Sequence, residues 1–254
     1  LAKELGMTVV VTDHHEVPLH WEGDTAAAVL PQADAVVDPK RADCEYPCKG
    51  ICGAVVAWKL LQLVQRACGQ PDAWQKYLQY AAFATIGDVM ELRGENRTIT
   101  TLGLEQLRRT DNIGLQALIA CSGLNADQLR AYHIGYVIGP CINATGRLDT
   151  AKRALELLIE TDHWRAQKIA QELVSLNDER KQLTTEGVEE AVRLVEEQEL
   201  WKHPVLVVYL PQTHESLAGI IAGRLRERYY RPTYVLTNGE DCVKGSGRSI
   251  PSYH

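Results

Sequence analysis

The sequence lacks three features that would place it in a membrane or outside the cell. No stretch approaches the roughly 18 to 20 uninterrupted apolar residues of a transmembrane helix. The first residues have neither the charged start nor the apolar middle of a signal peptide. The seven cysteines are odd in number and form no C-x-x-C pair. These absences predict a soluble, cytoplasmic protein with reduced thiols and no membrane partner.

An excess of basic residues is also absent. Lys and Arg number 27 against 33 Asp and Glu, so the formal net charge is -6 and the field of the whole chain repels nucleic acids. A composition of 45% hydrophobic and 24% charged residues excludes disordered and collagen-like chains. The 254 residues correspond to one large domain or two modest ones. Any site for a polyanion must therefore be built locally.

Strand and helix patterns follow each other in an order typical of α/β proteins. The apolar run Met7–Val11 predicts a strand buried on both faces of a parallel sheet, and Ala33–Asp38 predicts a second strand. Helical patterns then dominate as far as residue 161. A polar helical stretch over 162–199 is followed by a new strand, helix and strand. We expect an α/β fold with a helical half, a long connecting helix and a smaller second α/β domain.

The pattern of the first residues predicts the end of a helix without its beginning. Leu1–Gly6 has the pattern of the last turn of a helix, with Gly6 as the left-handed residue that ends it. A strand should precede such a helix in a β-α-β unit, and none does. We therefore expect the chain to be a fragment of a larger protein.

The sharpest candidate site is Asp13-His14-His15, which follows the first predicted strand. Side chains at the carboxyl ends of parallel strands point into the crevice where α/β proteins bind ligands. Imidazole and carboxylate together suit zinc, manganese or iron, although surface histidines beside a turn-capping Asp13 are the alternative. Asp88 ends an apolar helix pattern. A carboxylate there needs a partner, which a metal or a capping role would supply.

Three further segments offer groups that suit an anion. Gly139–Asp149, a predicted loop, contains the amide of Asn143 and the planar guanidinium of Arg147. Lys244–Ser249, a predicted Gly/Ser loop, offers backbone amides, hydroxyls and basic side chains. His214 precedes a predicted helix. Taken alone, each segment also fits an ordinary turn, a capped loop or a solvated face, although a capped loop does not explain Arg147.

Taken together and in order, these motifs resemble the DHH phosphoesterase family and, within it, the RecJ single-strand-specific exonucleases. The resemblance covers essentially the whole chain. It is carried by Asp13–His15, Gly87–Val89 with Gly94–Arg97, Gly139–Leu148, His214–Leu225 and Gly245–Ile250. The chain departs from the family at 214–219, where it has His-Glu-Ser-Leu-Ala-Gly and many relatives have His-Pro-Gly-Val-Ile-Gly. It also lacks the family's Asp-rich first motif and a second metal-binding Asp, both of which precede the DHH strand.

The resemblance implies a division of the chain. A DHH domain over 1–161, without its N-terminal strands and Asp motifs, would be joined by a connecting helix over 162–200 to a truncated DHHA1 domain over 201–254. The active site would lie in the cleft between the two domains. With the first metal-binding motifs missing, the chain alone is expected to be inactive.

The resemblance also implies an activity and its setting. The reaction would be 5′ to 3′ hydrolysis of single-stranded DNA to 5′-mononucleotides, with two Mn²⁺ or Mg²⁺ ions, in DNA repair and recombination. The protein would act in the bacterial cytoplasm at the nucleoid, as a monomer. Its partners would be single-stranded DNA, a single-strand-binding protein and a helicase.

Roles of individual residues are implied by the same resemblance. His14 and Asp88 would bind metal, with the remaining ligands upstream of the chain. His15 and Asp13 would be catalytic, with His15 acting on the scissile phosphate or its leaving group and Asp13 orienting the histidines. Seven residues would hold substrate phosphates or support the loops that do: Asn143, Arg147, His214, Ser246, Gly247, Arg248 and Ser249.

Two other kinds of function remain open from the sequence. One is another phosphoesterase with DHH and DHHA1 domains, such as a nanoRNase, a nucleotide phosphatase, a cyclic-dinucleotide phosphodiesterase or a pyrophosphatase. Those with a DHHA1 domain tend to carry a Gly-Gly-Gly-His loop where this chain has Gly-Ser-Gly-Arg-Ser. The other is a non-catalytic DHH scaffold that binds nucleic acid or a replication partner. The presence of His14, His15 and Asp88 counts against a scaffold, which needs no metal ligands.

Overall fold

The structure is a computed structural model that describes residues 1–148 and 150–253, without the side chains of 147 and 148. The chain forms two compact units, Leu1–Gly139 and Pro140–His254. The predicted domain boundaries at 161 and 200 fall inside the second unit and stay predictions. In the described part of the chain, no helix has the length and apolar character to cross a bilayer.

Four short strands open the first unit. β1 (Val10–Thr12) pairs in parallel with β4 (Ala35–Val37), and β2 (Leu19–Glu22) pairs antiparallel with β3 (Thr25–Ala28). The predicted parallel pairing is therefore present. The prediction that the first strand is buried on both faces is wrong, since Val10 is 54% exposed. In the described residues this sheet has only two strands, and a sheet face is buried only where another layer covers it.

The segment before β1 closes as a helical turn. The backbone N–H of Met7 donates to the carbonyl of Ala2 at 3.1 Å, and that of Gly6 donates to Lys3 at 3.0 Å. Gly6 has a φ of +74°, the left-handed conformation that glycine adopts without steric cost. The two bonds form a Schellman motif. The predicted left-handed conformation of Gly6 is confirmed, but the residues before it form a single turn and not a regular helix.

Helices form the rest of the first unit. They are α1 (Gly53–Ala67), α2 (Leu78–Gly87), α3 (Gly94–Arg108), α4 (Ile113–Cys121) and α5 (Ala131–His133). Tighter 3-10 turns lie at Ala73–Tyr77 and Ala126–Gln128, and a wider π-helical turn lies at Ile134–Ile138. Asn112 caps α4, because its side chain accepts a 2.8 Å hydrogen bond from the backbone N–H of Leu115.

The helical pattern of the sequence over 126–138 is interrupted at Leu129. This residue is extended, and its carbonyl oxygen accepts hydrogen bonds from Arg108 Nε at 3.1 Å and Nη2 at 2.8 Å. Leu129 is itself fully buried. Hydrogen bonds from a charged donor are stronger than those from a neutral amide, so this tertiary contact overrides the local helical pattern.

The core of the first unit lies between helices. One cluster of this core has the buried side chains Ile51, Cys52, Val55, Val56, Trp58, Leu78, Ala81, Ala82 and Ile99. Gly103 of α3 sets the approach of α3 to α2: a Cβ at this position would overlap the Cβ of Ala82 and lie 2.9 Å from the carbonyl oxygen of Leu78. This close contact locates α2, whose C-terminal end carries Asp88.

The rest of the described chain, from residue 139 onward, consists of helices followed by a three-stranded sheet with one helix. These elements are α6 (Gly139–Leu148), α7 (Lys152–Ile159), α8 (His163–Glu197), a 3-10 turn at Leu200–Lys202, β5 (Leu206–Tyr209), α9 (Glu215–Tyr229), β6 (Thr233–Asn238) and β7 (Val243–Arg248). The predicted long helix is confirmed as α8, which has 35 residues. The second β-α-β unit is confirmed by the parallel pairing of β5 with β6, and β7 adds antiparallel to β6. Apolar side chains of α8, β5, α9 and β6 form the core here.

Two segments predicted as loops are regular elements instead. Gly139–Leu148 forms α6, in which Ala144 is fully buried, and Val243–Arg248 forms β7, which pairs with β6 along its whole length. Glycine lowers both helix and strand propensity, which is why these segments resemble loops in sequence. In β7 the glycine is needed for packing, because a Cβ at Gly247 would lie 2.7 Å from the ring of Tyr234.

Candidate functional site

Asp13 organises the residues that follow β1. Its backbone N–H donates to the carbonyl of Val37 at 2.9 Å, which extends the ladder between β1 and β4. Its Oδ1 accepts from the backbone N–H groups of His14 at 2.7 Å and His15 at 3.2 Å, and lies 2.7 Å from His15 Nδ1. The bond with the His15 side chain, followed by the two backbone bonds, lowers the pKa of Asp13 to about 2. The carboxylate is therefore charged at neutral pH.

His14 meets a carboxylate from a distant part of the chain. Its Nε2 lies 3.6 Å from Asp88 Oδ2, and 49% of the Asp88 side chain is exposed. Divalent ions hold nitrogen and oxygen ligands at about 2.0 to 2.2 Å, so two ligands of one ion lie at most ~4.3 Å apart. The pair fits that limit. One ligand atom each from Asp13, His14 and His15 also lies within 4.8 Å of the other two.

The turn after α2 holds Asp88 in place. The backbone N–H of Asp88 donates to the carbonyl of Ala84 at 2.9 Å, and that of Met90 donates to Thr85 at 3.1 Å. Val89, between them, has a φ of +55°. A β-branched residue in the left-handed region is strained, and such strain persists where neighbouring contacts impose it. α2 therefore ends in a turn with a defined backbone conformation, and Asp88 lies in that turn.

The polar motif Gly94–Arg97, at the start of α3, connects helices and does not form part of the cluster around His14 and Asp88. Asn96 is 2% exposed, and its Nδ2 donates to the carbonyl oxygens of Gly50 at 2.7 Å and Glu91 at 3.0 Å. Glu95 forms an ion pair with Lys59 of α1. These bonds tie α3 to α1 and to the segment before it. The motif thus helps to hold the helices that place Asp88.

Two residues near the cluster were not predicted from the sequence. Gly53, at the start of α1, faces His14: a Cβ there would lie 3.1 Å from His14 Cδ2. Asp38 follows β4 at the same sheet edge as Asp13, is 6% exposed, and accepts a 2.9 Å bond from the backbone N–H of Lys40. Its position at the end of the second predicted strand is the signal that could have identified it. Gly53 has no such local signal.

Arg248 is the centre of the predicted phosphate-binding group. Its guanidinium folds back along β7, where Nη1 donates to the carbonyl of Gly247 at 2.7 Å and to Ser246 Oγ at 3.2 Å. Its Nη2 lies beside Gly219 of α9. The side chain is exposed, so a planar donor fork suited to phosphate faces solvent here. The structure thus brings Ser246, Gly247 and Arg248 together.

His214 belongs to a different part of the same unit. It precedes α9, and its Nδ1 lies 2.7 Å from Ser216 Oγ. It lines a cavity of about 580 Å³ at the carboxyl ends of β5 and β6, next to the ion pair of Lys244 with Glu215. The carboxyl ends of parallel strands are a common ligand site. His214 therefore lies at a crevice, and its hydrogen-bond partner differs from those of Arg248.

Of the three other predicted phosphate-binding residues, the structure describes the side chains of Ser249 and Asn143. Ser249 donates its hydroxyl to the carbonyl oxygen of Tyr253. Asn143 is exposed on α6. Arg147 has its backbone in α6, but its side chain lies outside the described residues.

Comparison with known proteins agrees with the fold. No protein-family model matches the chain. The single-stranded-DNA-specific exonuclease RecJ of Bacillus subtilis (strain 168) is 38% identical over 256 residues, which cover 100% of this chain and 31% of that protein. The crystal structure of Thermus thermophilus RecJ in complex with Mn²⁺ has a TM-score of 0.80 and 32% identity, over 97% of this chain and 34% of that one. The chain is thus similar over its whole length to RecJ single-stranded-DNA-specific exonucleases.

The RecJ resemblance predicted from the motifs is therefore confirmed, as is the α/β fold. The same Thermus protein in complex with Mg²⁺ has a TM-score of 0.71 and 30% identity, over 85% of this chain and 33% of that one. The chain spans about a third of the length of these RecJ proteins. The roles of individual side chains stay predictions.

Proposed function

We propose that the chain is part of a metal-dependent exonuclease that degrades single-stranded DNA from the 5′ end to 5′-mononucleotides, in DNA repair and recombination. The observation that carries this proposal is the pair of His14 and Asp88, 3.6 Å apart in a chain that is similar to RecJ. The sequence likeness extends over the whole chain, and the relative it matches is a single-stranded-DNA-specific exonuclease.

His14 Nε2 and Asp88 Oδ2 would bind the metal ion. The candidates are Mn²⁺ and Mg²⁺, the ions in the Thermus RecJ structures. Such ions take about six ligands, so this pair needs further ligands. When bound, a pair of these ions supplies hydroxide near neutral pH and neutralises charge on the phosphate oxygens.

His15 and Asp13 would act as a carboxylate–imidazole pair. The contact of Asp13 Oδ1 with His15 Nδ1 favours the ring with its proton on Nδ1. Nε2 is then left to accept or pass a proton at the scissile phosphate or its leaving oxygen. Because the same Oδ1 also accepts both backbone N–H groups, Asp13 orients His14 and His15 together.

Arg248 would hold a phosphate of the DNA strand. The two hydrogen bonds of Nη1 fix the plane of the guanidinium. Its remaining N–H groups would therefore donate to the phosphate without a large loss of side-chain entropy. Ser246 and Gly247 would share this site. Asn143, Arg147, His214 and Ser249 remain proposed phosphate-binding or supporting residues.

Substitution of the metal-binding pair tests this function. In the full-length protein, His14→Ala and Asp88→Ala are each expected to abolish Mn²⁺-dependent release of mononucleotides from a 3′-labelled single strand. His20→Ala is the control, because this exposed histidine of β2 pairs with Glu22 and lies outside the cluster. Retained activity in both site variants would refute the metal assignment. Binding of single strands by the parent protein without hydrolysis would favour the non-catalytic scaffold.

We also propose the setting implied by this substrate: the bacterial cytoplasm at the nucleoid, with a monomeric enzyme. A single-strand-specific enzyme depends on a helicase to open duplex DNA and meets a single-strand-binding protein on its substrate. Sedimentation of the full-length protein tests the monomer. Addition of the single-strand-binding protein or the helicase to a degradation assay tests each partner, and an unchanged rate speaks against it.

A further inference from the structure

We infer that Gly219 of α9 is a positioning residue for Arg248, because only glycine at this place leaves room for the guanidinium. The inference rests on the proposed role of Arg248 in binding phosphate. It gives a function to a helix residue that makes no contact with the phosphate itself.

The clearance between α9 and β7 is the basis of this inference. A Cβ built on Gly219 would lie 2.7 Å from Arg248 Nη2, 3.3 Å from Arg248 Cζ and 2.9 Å from Ser246 Oγ. Unbonded heavy atoms of this kind settle at about 3.5 to 4.0 Å. Any side chain at position 219 would therefore displace the guanidinium by about 1 Å and would rotate Ser246 as well.

Gly219 and β7 hold the guanidinium from two sides. On the β7 side, Nη1 is fixed by the carbonyl of Gly247 at 2.7 Å and by Ser246 Oγ at 3.2 Å. On the α9 side, Nη2 rests against Gly219. The atoms that a Cβ would displace are the ends of two flexible side chains, not backbone. A larger residue at 219 therefore moves the phosphate-binding fork and leaves the fold intact.

Gly223, one turn later in α9, supplies a matched control. A Cβ built there meets no atom within 4 Å. Glycine is unfavourable inside a helix compared with alanine, so both Gly219→Ala and Gly223→Ala should improve helix propensity equally. The two variants differ only in the collision with Arg248 and Ser246.

The experiment compares four variants of the full-length protein: Gly219→Ala, Gly223→Ala, Arg248→Ala and the double variant Gly219→Ala with Arg248→Ala. The ligand is a 5′-phosphorylated oligo-dT, and binding is measured as a function of salt. Gly219→Ala should weaken binding about tenfold and flatten the salt dependence, because one charge-assisted phosphate contact is lost. Gly223→Ala should bind like the parent, and both single glycine variants should unfold at or above the parent temperature.

The double variant separates positioning from a general structural effect. If Gly219 acts through Arg248, the double variant binds no more weakly than Arg248→Ala alone. In nuclease assays, Gly219→Ala should raise KM for DNA and leave kcat at saturating DNA unchanged, since it alters binding and not the metal cluster. A crystal structure of Gly219→Ala should show the guanidinium displaced.

Different failures point to different errors. If Arg248→Ala weakens binding and Gly219→Ala does not, or if the two effects add in the double variant, this inference is overturned while the proposed function stands. If Arg248→Ala binds DNA as tightly as the parent, the proposed phosphate role of Arg248 is itself wrong, and the inference falls with it. A guanidinium in its parent position in the Gly219→Ala crystal structure also overturns the inference.

Discussion

Replacing Gly103 with alanine tests the helix contact that places Asp88. A Cβ on Gly103 would overlap the Cβ of Ala82 and would lie 2.9 Å from the carbonyl oxygen of Leu78, both on α2. Two methyl groups need at least ~3.5 Å between carbons, so α2 and α3 must separate by about 1 Å or more. Unlike the end of a long side chain, a helix backbone cannot move away without disturbing its other contacts.

The expected cost follows from two opposing effects. Alanine inside a helix gains about 1 kcal/mol over glycine, whereas overpacking of this kind costs about 3 kcal/mol. The net loss is about 2 kcal/mol, which lowers Tm by roughly 4 to 8 °C in a protein of this size. A shift of α2 by about 1 Å along the line from His14 to Asp88 would lengthen their 3.6 Å separation beyond the ~4.3 Å that one ion can bridge. We therefore expect weaker Mn²⁺ binding together with lower stability.

Urea denaturation and calorimetric Mn²⁺ titration measure both effects. Gly223→Ala is the control, since its Cβ meets no atom within 4 Å and should stabilise the protein. Adding Ala82→Gly to Gly103→Ala removes the overlapping methyl and should recover most of the lost stability. A Gly103→Ala protein as stable as Gly223→Ala, with unchanged Mn²⁺ affinity, would refute the proposed link between this helix contact and the position of Asp88.

Three further predictions concern the first unit. Burial opposes ionisation of Glu95, but hydrogen bonds from Lys59 and Tyr46 outweigh it and hold the pKa of Glu95 below its ordinary 4.5. The ion pair therefore stabilises the fold above about pH 4.5, and this stability is lost as the pH falls through the lowered pKa. Lys59→Met should cost about 1 kcal/mol at pH 7 and progressively less as the pH falls below the lowered pKa of Glu95, and a constant difference in urea unfolding would contradict this. Val89→Gly should stabilise the protein by about 1 kcal/mol, because glycine adopts the left-handed conformation of Val89 without strain; a lower Tm would count against it. Asn112→Ala should lose about 1 kcal/mol through the missing cap of α4, whereas Asn112→Asp, which keeps the acceptor, should not.

Features with strong local signals were predicted well. The long helix α8 and the strand–helix–strand of β5, α9 and β6 lie within a few residues of the positions expected from apolar periodicity. The left-handed residue Gly6 also appears where expected, at the end of a turn. Caps and periodicity depend on residues close together in the chain, so they are visible in the sequence.

Features that depend on distant partners were predicted less well. The glycine-containing segments of α6 and β7 resemble loops, because the packing that favours glycine in β7 involves Tyr234 of another strand. The apolar run of β1 suggests a buried strand, yet burial depends on layers that cover the sheet and not on the strand itself. The break at Leu129 depends on Arg108, which lies on α3.

By itself, the sequence determined the order of helices and strands, the family resemblance and the set of candidate ligands. These depend on local patterns and on motifs that can be recognised in one dimension. The tertiary structure alone decided that His14 faces Asp88 and that Arg248 rests against Gly219. Each of these contacts joins residues far apart in the chain, so its distance depends on how helices and strands pack. A single sequence contains no local pattern that specifies that packing.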